Sequence, residues 1–543
     1  MASQSTPNKK HPAGLPYLFF TEMWERFGYY LMLGIFALYM MDSVENGGMG
    51  FTKQKKSDIY GTYIGLVYLT PFIGGLLADR ILGYRKSILI GGLLMALGYF
   101  GLAVPGESVF YLSLLSIILG NGFFKPNIST LLGNLYNNPA YIKNKDAGYN
   151  IFYAGINIGA FFCNFVAAYM RINYGWGWAF AAAGVGMVLG LIIFLAGTRH
   201  IREGDVLKPV QPGDLKTSHI LMGTLLPMLA FGLIGYFIKG ITSPENPNGN
   251  IFGTDTNDAF LFGCIPVILF FVVLLLKSSP EEKRPVGALL SVYACIVIFW
   301  AVFHQNGDAL TVWAEEYTDR EMPASISRLM SSVDLAQVLR NDPSDARSYA
   351  QYQKYAANLP LERQPPPGGE LKLVSAELFQ SVNPFWVIVL TPVIVGFFGF
   401  LRRRNLEPST PSKIAIGLVI TALSALVMVA AVKSTNLATE KASSWWLIAA
   451  YGVITVGELC LSPMGLSLVS KLSPPRITAL MMGGFFLSTS VGNKLSGVLS
   501  GMWERYDDKS HFFLLNFALV MAAALMMLLL LRWLNKVMKE KNI

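Results

Sequence analysis

Charge is scarce in this chain. Only 14% of its 543 residues are Asp, Glu, Lys or Arg, against about 25% in an average soluble domain. Cysteine is scarcer still: Cys163, Cys264, Cys295 and Cys460 stand alone, without metal-ligand spacing or a paired framework, so they read as small core residues. The five histidines are scattered, and no H-E-x-x-H pair, G-x-S-x-G elbow or G-x-x-x-x-G-K-[ST] loop occurs. Metalloprotease, serine-hydrolase and ATP-driven chemistry therefore have no foothold, and neither an enzyme activity nor a cofactor is expected. The polar, basic start (MASQSTPNKKHPAG) lacks the short apolar region of a cleaved signal peptide.

What fills the chain is apolar. Hydrophobic residues make up 53%, and the mean hydropathy is +0.45. Uncharged runs such as AFLFGCIPVILFFVVLLL (259–276) approach the roughly 20 residues needed to cross a hydrocarbon core as helix. Spans are predicted at 17–41, 59–82, 87–105, 109–135, 147–170 and 177–197; then at 219–239 and 259–277. Six more follow at 286–304, 379–401, 413–432, 444–470, 477–502 and 511–536. The fold class is thus an all-α integral membrane protein with 14 transmembrane helices, ordered six, two and six. It divides into an N-terminal half (1–197), a linker segment with two extra helices (198–285) and a C-terminal half (286–543). An insert at 306–376 is long and polar, and ends near Pro365-Pro366-Pro367; short amphipathic helices before a proline-rich connector are expected there.

The formal charge of +9 does not indicate nucleic acid, because the cations sit in short clusters between apolar spans. Seven clusters, among them Arg402-Arg403-Arg404, fall on one side. Only Lys53, Lys55 and Lys56 fall on the other. The positive-inside rule then places both termini in the cytoplasm and the 306–376 insert outside.

Ionisable residues inside the spans carry the functional information. Glu22, Glu25 and Arg26 lie on one face of the first span by their i, i+3, i+4 spacing; Lys125 lies in the fourth and Glu458 in the twelfth. Each costs about 2.5–3.5 kcal/mol at a helix centre, so they face one another or a wet cavity. Cations in the first half and a carboxylate in the second suit a small zwitterion held by both halves.

Five motifs in order resemble the proton-dependent oligopeptide transporter family of the major facilitator superfamily, in its bacterial form with two extra central helices. They are Glu22-x-x-Glu25-Arg26-Phe27-x-Tyr29-Tyr30, the loop around Asp79-Arg80 and Gly83-x-Arg85, and Phe152-Tyr153-x-x-x-Asn157. Phe379-Gln380-x-x-Asn383-Pro384 and Gly457-Glu458 complete the set. The resemblance implies a major facilitator fold whose two halves rock about a midplane site, and proton-coupled import of di- and tripeptides by a monomer in a bacterial inner membrane. It also implies that Arg26 and Lys125 hold the peptide carboxylate, and that Asn157, Asn383 and Glu458 hold its amino end. Tyr29, Tyr30, Tyr68, Trp300 and Phe485 would contact the peptide. Glu22 and Glu25, beside Arg26, would couple to protons, and Asp79, Arg80 and Arg85 would latch helices at the membrane edge.

The pattern breaks at several positions. His304 stands where relatives carry an acid, in Phe299-Trp300-Ala301-Val302-Phe303-His304-Gln305. An imidazole changes charge near pH ~6.5, so His304 is expected to titrate in place of the acid. Asp308, on the same face if the helix continues, is expected to supply the missing negative charge. Leu31 and Leu33 replace a usual Gly and Arg, and Phe485 replaces a Trp. These departures leave open another small solute (an amino acid, a nitrate-like anion or a peptide-like drug), and a non-transporting nutrient sensor.

Overall fold

The computed structural model describes residues 11–206, 221–242, 248–474 and 477–541. A helix falls within or over each of the fourteen predicted spans; in the seventh, 219–239, it covers Leu226–Phe237, and residues 219–220 lie outside the described residues. The helices are α1 (Leu15–Met41), α2 (Lys53–Leu77), α3 (Tyr84–Leu102), α4 (Glu107–Leu135), α5 (Lys145–Tyr174), α6 (Trp176–Ala196) and α7 (Leu226–Phe237). The rest are α8 (Asp255–Lys277), α9 (Pro280–Phe303), α10 (Val382–Arg403), α11 (Thr410–Ser434), α12 (Ser444–Leu472), α13 (Thr478–Gly501) and α14 (Lys509–Glu540). Eleven helices among the described residues are long and apolar enough to cross a membrane. The three outside that set have physical reasons: α1 carries Glu22, Glu25 and Arg26, α7 is short, and α13 is rich in Gly and Ser and contains Lys494.

The chain forms two compact units. Unit 1 comprises residues 1–50, 66–212 and 324–337, and unit 2 comprises 51–65, 213–323 and 338–543. This division by packing differs from the division by span order: residues 51–65 and the extra pair α7 and α8 belong with unit 2.

In unit 1, α1 packs on α5 and α6, and α3 packs on α4 and α6. The crossing of α3 and α4 needs glycine on both sides. A Cβ on Gly91 would lie 2.6 Å from the Gly120 carbonyl oxygen, and one on Gly120 would lie 2.6 Å from that of Gly91. Backbones that approach this closely gain the dispersion contacts that hold helices together in lipid.

In unit 2, α11 packs on α12 and α14, and α9 packs on α13 and α14. Ile296, Phe299, Leu418, Leu461, Met481 and Met527 are part of their common core. The extra pair forms its own hairpin, and α8 reaches α9 and α13. Thr254 caps α8 by accepting from Asn257 N at 3.1 Å, and Asp255 and Asp258 add negative charge to its first turn.

The insert holds the expected short helices, Ala309–Glu316, Ala324–Ser332 and Ala346–Ala356. It also holds strands that helical patterning did not reveal: β1 (Thr318–Asp319), β2 (Gln337–Arg340) and β3 (Glu370–Leu373). β2 pairs with β3, and β1 runs parallel to β4 (Ala442–Ser443). Leu339, Tyr352, Tyr355, Leu359, Leu371 and Leu373 form a separate small core.

Lys441 is buried against this core, 4.2 Å above the Tyr355 ring, donating to Glu316 O at 2.8 Å and Asn358 Oδ1 at 2.6 Å. Burial, then the nearby Arg320 guanidinium, pushes its ammonium down to about 8. Between that value and its ordinary 10.5, the unfolded chain binds more protons than the folded one, so stability rises with pH in this window. The gap in melting temperature between the wild type and Lys441→Met is therefore expected to shift in favour of the wild type from pH 8 to pH 10.5. Thermal unfolding of the purified protein checks this; a gap independent of pH contradicts it.

Candidate functional site

Unit 1 gathers the α1 residues into one buried ionic cluster. Glu22, Glu25 and Arg26 are 3%, 0% and 3% exposed, so none of the three charges is left to water. Arg26 grips Glu25 with both Nε and Nη2, the latter at 2.6 Å from Oε1, and its Nε lies 3.5 Å from Glu22 Oε1. The same guanidinium reaches Asn121 Oδ1 of α4 at 3.4 Å and lies 4.8 Å from the centre of the Tyr29 ring. Asn121 is anchored by donating to Val67 O at 2.8 Å. Lys125, one turn further along α4, sits 4.1 Å above the Tyr68 ring of α2. The cluster holds two carboxylates and two cations on adjacent helices. Glu22 Oε2 is buried without a protein partner, which leaves one carboxylate oxygen able to receive a proton or a donor.

Tyr30 packs edge-on against Tyr29 at 5.2 Å. Asn157 of α5 is half-buried, its amide donating to Tyr153 O of its own helix at 3.1 Å.

Unit 2 supplies the second group. Asn383 of α10 donates to Thr455 Oγ1 at 2.9 Å and to Glu458 Oε2 at 3.3 Å, both on α12. The amide therefore fixes one face of the Glu458 carboxylate. Thr455 is itself anchored to Tyr451 O at 2.7 Å. Trp300 of α9 stacks on His304, with ring centres 5.1 Å apart and 24° between planes. Phe485 of α13 is buried edge-on against Tyr293 at 6.2 Å.

The helix on which the shared face of His304 and Asp308 depended does not continue. α9 ends at Phe303, residues 304–307 form a tighter 3₁₀ turn, and Asp308 leaves helical geometry at φ −125°, ψ −90°. It therefore does not share a helical face with His304. Its partners are Lys56, in a buried ion pair, and Ser57 Oγ at 3.1 Å, both on α2.

The loop after α2 is organised around a residue that spacing did not single out. Asp205 Oδ1 accepts from Tyr84 N at 2.8 Å and Arg85 N at 3.2 Å, capping α3, and its Oδ2 lies 4.0 Å from Arg85 Nη1. Asp79 accepts from Tyr84 Oη at 2.6 Å. The side chain of Arg80 lies outside the described residues.

Lys494 is the buried cation that the reading of the spans missed, although it falls inside the predicted span 477–502. It is fully buried on α13 and pairs with Asp58 Oδ1 at 2.8 Å.

Comparison with known proteins places the chain in a family. The family model described as the POT family matches residues 85–339 and 370–514. The chain belongs to the POT family. Its all-α structure is the major facilitator fold, and the protein is a multi-pass membrane protein. Among its relatives, an uncharacterised transporter of Bacillus subtilis is 31% identical, over 97% of this chain and 96% of that protein. A di-/tripeptide transporter of Lactococcus lactis subsp. cremoris is 30% identical, over 97% of each. The crystal structure of a mutant peptide transporter POT in complex with alafosfalin has a TM-score of 0.77 at 29% identity, covering 98% of both chains. A POT-family transporter in complex with 5-aminolevulinic acid has a TM-score of 0.76 at 25% identity, over 98% of this chain and 99% of that one.

Proposed function

We propose that this POT-family protein imports di- and tripeptides together with protons, by alternating access. The observation that carries the reading is the pair of oppositely suited groups. Unit 1 offers Arg26 and Lys125, and unit 2 offers a Glu458 carboxylate oriented by Asn383. A peptide is a zwitterion, and its carboxylate suits the first group as its ammonium suits the second. In this reading Asn157 joins Glu458 and Asn383 at the amino end, while Tyr29, Tyr30, Tyr68, Trp300 and Phe485 contact the body of the peptide. The names of the relatives and the peptide-like ligand of a solved neighbour support it.

Proton coupling falls to Glu22, Glu25 and Arg26. When a peptide carboxylate competes for Arg26, the freed carboxylate gains a reason to take up a proton. Asp79, Arg80 and Arg85 act as the membrane-edge latch, with Asp205 as an added anchor. We assign both termini to the cytoplasm, the insert to the outside, the protein to a bacterial inner membrane, and the monomer as the working unit. The segment 198–285 joins two six-helix halves in this reading.

Counterflow of labelled dialanine in proteoliposomes, competed by unlabelled solutes, separates the alternatives. Competition by trialanine, with neither alanine nor nitrate effective, is expected. Competition by alanine or nitrate would favour another small solute, and binding without counterflow would make the protein a sensor. His304→Gln is expected to flatten the pH dependence of uptake around pH ~6.5. An unchanged pH profile in that variant would remove His304 from the proton path.

A further inference from the structure

Among the buried polar atoms of unit 2 that have no protein partner, six belong to the 306–308 turn and to one stretch of α13. They are Asn306 Oδ1, Asp308 Oδ2, both amide atoms of Asn493, Ser496 Oγ and Ser500 Oγ. Their residues are between 0% and 8% exposed. Leaving such a group unsatisfied costs about 1–3 kcal/mol, and more for a charged one. Six in one region call for a common partner.

The packing brings them to one junction. On α13, Ser490, Lys494, Gly497 and Gly501 form the edge that meets α2. Ser490 Oγ donates to Gly65 O at 2.6 Å, Lys494 pairs with Asp58, and a Cβ on Gly497 would lie 2.5 Å from Ser57 O. Gly492 marks the edge that meets α9, where its Cβ would lie 2.5 Å from Val297 O. Asn493, Ser496 and Ser500 fall between these edges by helical spacing. The 304–307 turn continues α9 beside α13. Ser57 touches both sides of the junction, since its Oγ donates to Asp308 Oδ1 at 3.1 Å.

We propose that Asn306, Asp308, Asn493, Ser496 and Ser500 enclose a site for internal water, and that this water delivers protons to Asp308. A buried water typically makes about three hydrogen bonds to groups of this kind, and two or three waters would satisfy all six atoms. A hydronium at this site transfers its proton to Asp308 Oδ2, leaving water and a neutral acid. The neutral acid no longer holds Lys56 by charge, so the tie between α2 and the end of α9 is released. The charged group in contact with Asp308 is Lys56 on α2; the Tyr60 hydroxyl of α2 lies against Gly307, Glu504 feels the Lys56 charge, and the Lys494 charge on α13 is balanced by Asp58. The inference rests on the proton-coupled reading above.

The test compares two readouts in proteoliposomes, accumulation of labelled dialanine under an inward proton gradient and its counterflow without one. For the Ser496→Ala/Ser500→Ala double variant, the ratio of accumulation to counterflow is expected to fall at least tenfold from the wild type. Ser496→Thr, which keeps the hydroxyl, is expected to hold the ratio within twofold. An unchanged ratio in the double variant overturns the water site while leaving the transport reading intact. A wild type that shows neither activity overturns the transport reading and this inference with it. Should the double variant fail to insert, Asn493→Leu supplies the same comparison, with the same tenfold fall expected.

Discussion

Glu458→Gln is expected to abolish measurable gradient-driven dipeptide uptake, with apparent affinity reduced by a factor of about 100 or more. Removing one partner of a desolvated charge pair costs about 3–5 kcal/mol, and every 1.4 kcal/mol is about a tenfold change in affinity. Glutamine keeps the size of the side chain and can still accept from Asn383 Nδ2, so the local contact with α10 survives. The loss is therefore specific to the negative charge. Binding of labelled dialanine to the purified variant measures it. Affinity within threefold of the wild type would remove Glu458 from the recognition of the peptide ammonium.

Arg26→Ala has the second largest expected effect, and it acts first on stability. Arg26 is the cation in contact with both Glu22 and Glu25, which are almost fully buried. Deleting it strands two carboxylates in a dry helix interface at a cost of about 3–5 kcal/mol. The variant is expected to melt several degrees below the wild type in detergent. Glu25→Gln added to Arg26→Ala is expected to recover part of that loss, because the second change removes one stranded charge. Failure of the double variant to recover any stability would mean that Arg26 matters for its packing against Tyr29 rather than for its charge. Uptake is expected to vanish in both variants, since the peptide carboxylate loses a cation either way.

Most of the helical layout was legible because lipid forces it. A spanning segment must satisfy its own backbone, so each apolar run became a helix, and the ionisable residues within those runs stood out. The spacing places Glu22 beside both Glu25 and Arg26 on one face of α1, whereas the closest pair, Glu25 with Arg26, joins adjacent residues and was not given by spacing. Contacts between distant segments were not readable. Asn121 looks like any polar residue in a helix until α4 lies beside α1, and Asp205 is an ordinary linker acid until it caps α3. The face that Asp308 shares depends on whether α9 continues, which spacing does not decide; α9 ends at Phe303 and the carboxylate meets Lys56 of α2. Lys494 was visible as a charge within a predicted span, and Asp58 lay just before one. Only the packing of α13 on the start of α2 makes them a pair. The strands of the insert stayed hidden because they are two to four residues long, too short for alternation to register.

The most direct test of the account is accumulation of labelled dialanine by proteoliposomes containing the purified protein, with and without an inward proton gradient. The account predicts uphill accumulation that requires the gradient and disappears when protonophore dissipates it. Equal, non-concentrative uptake in both conditions, or no uptake at all, would contradict it.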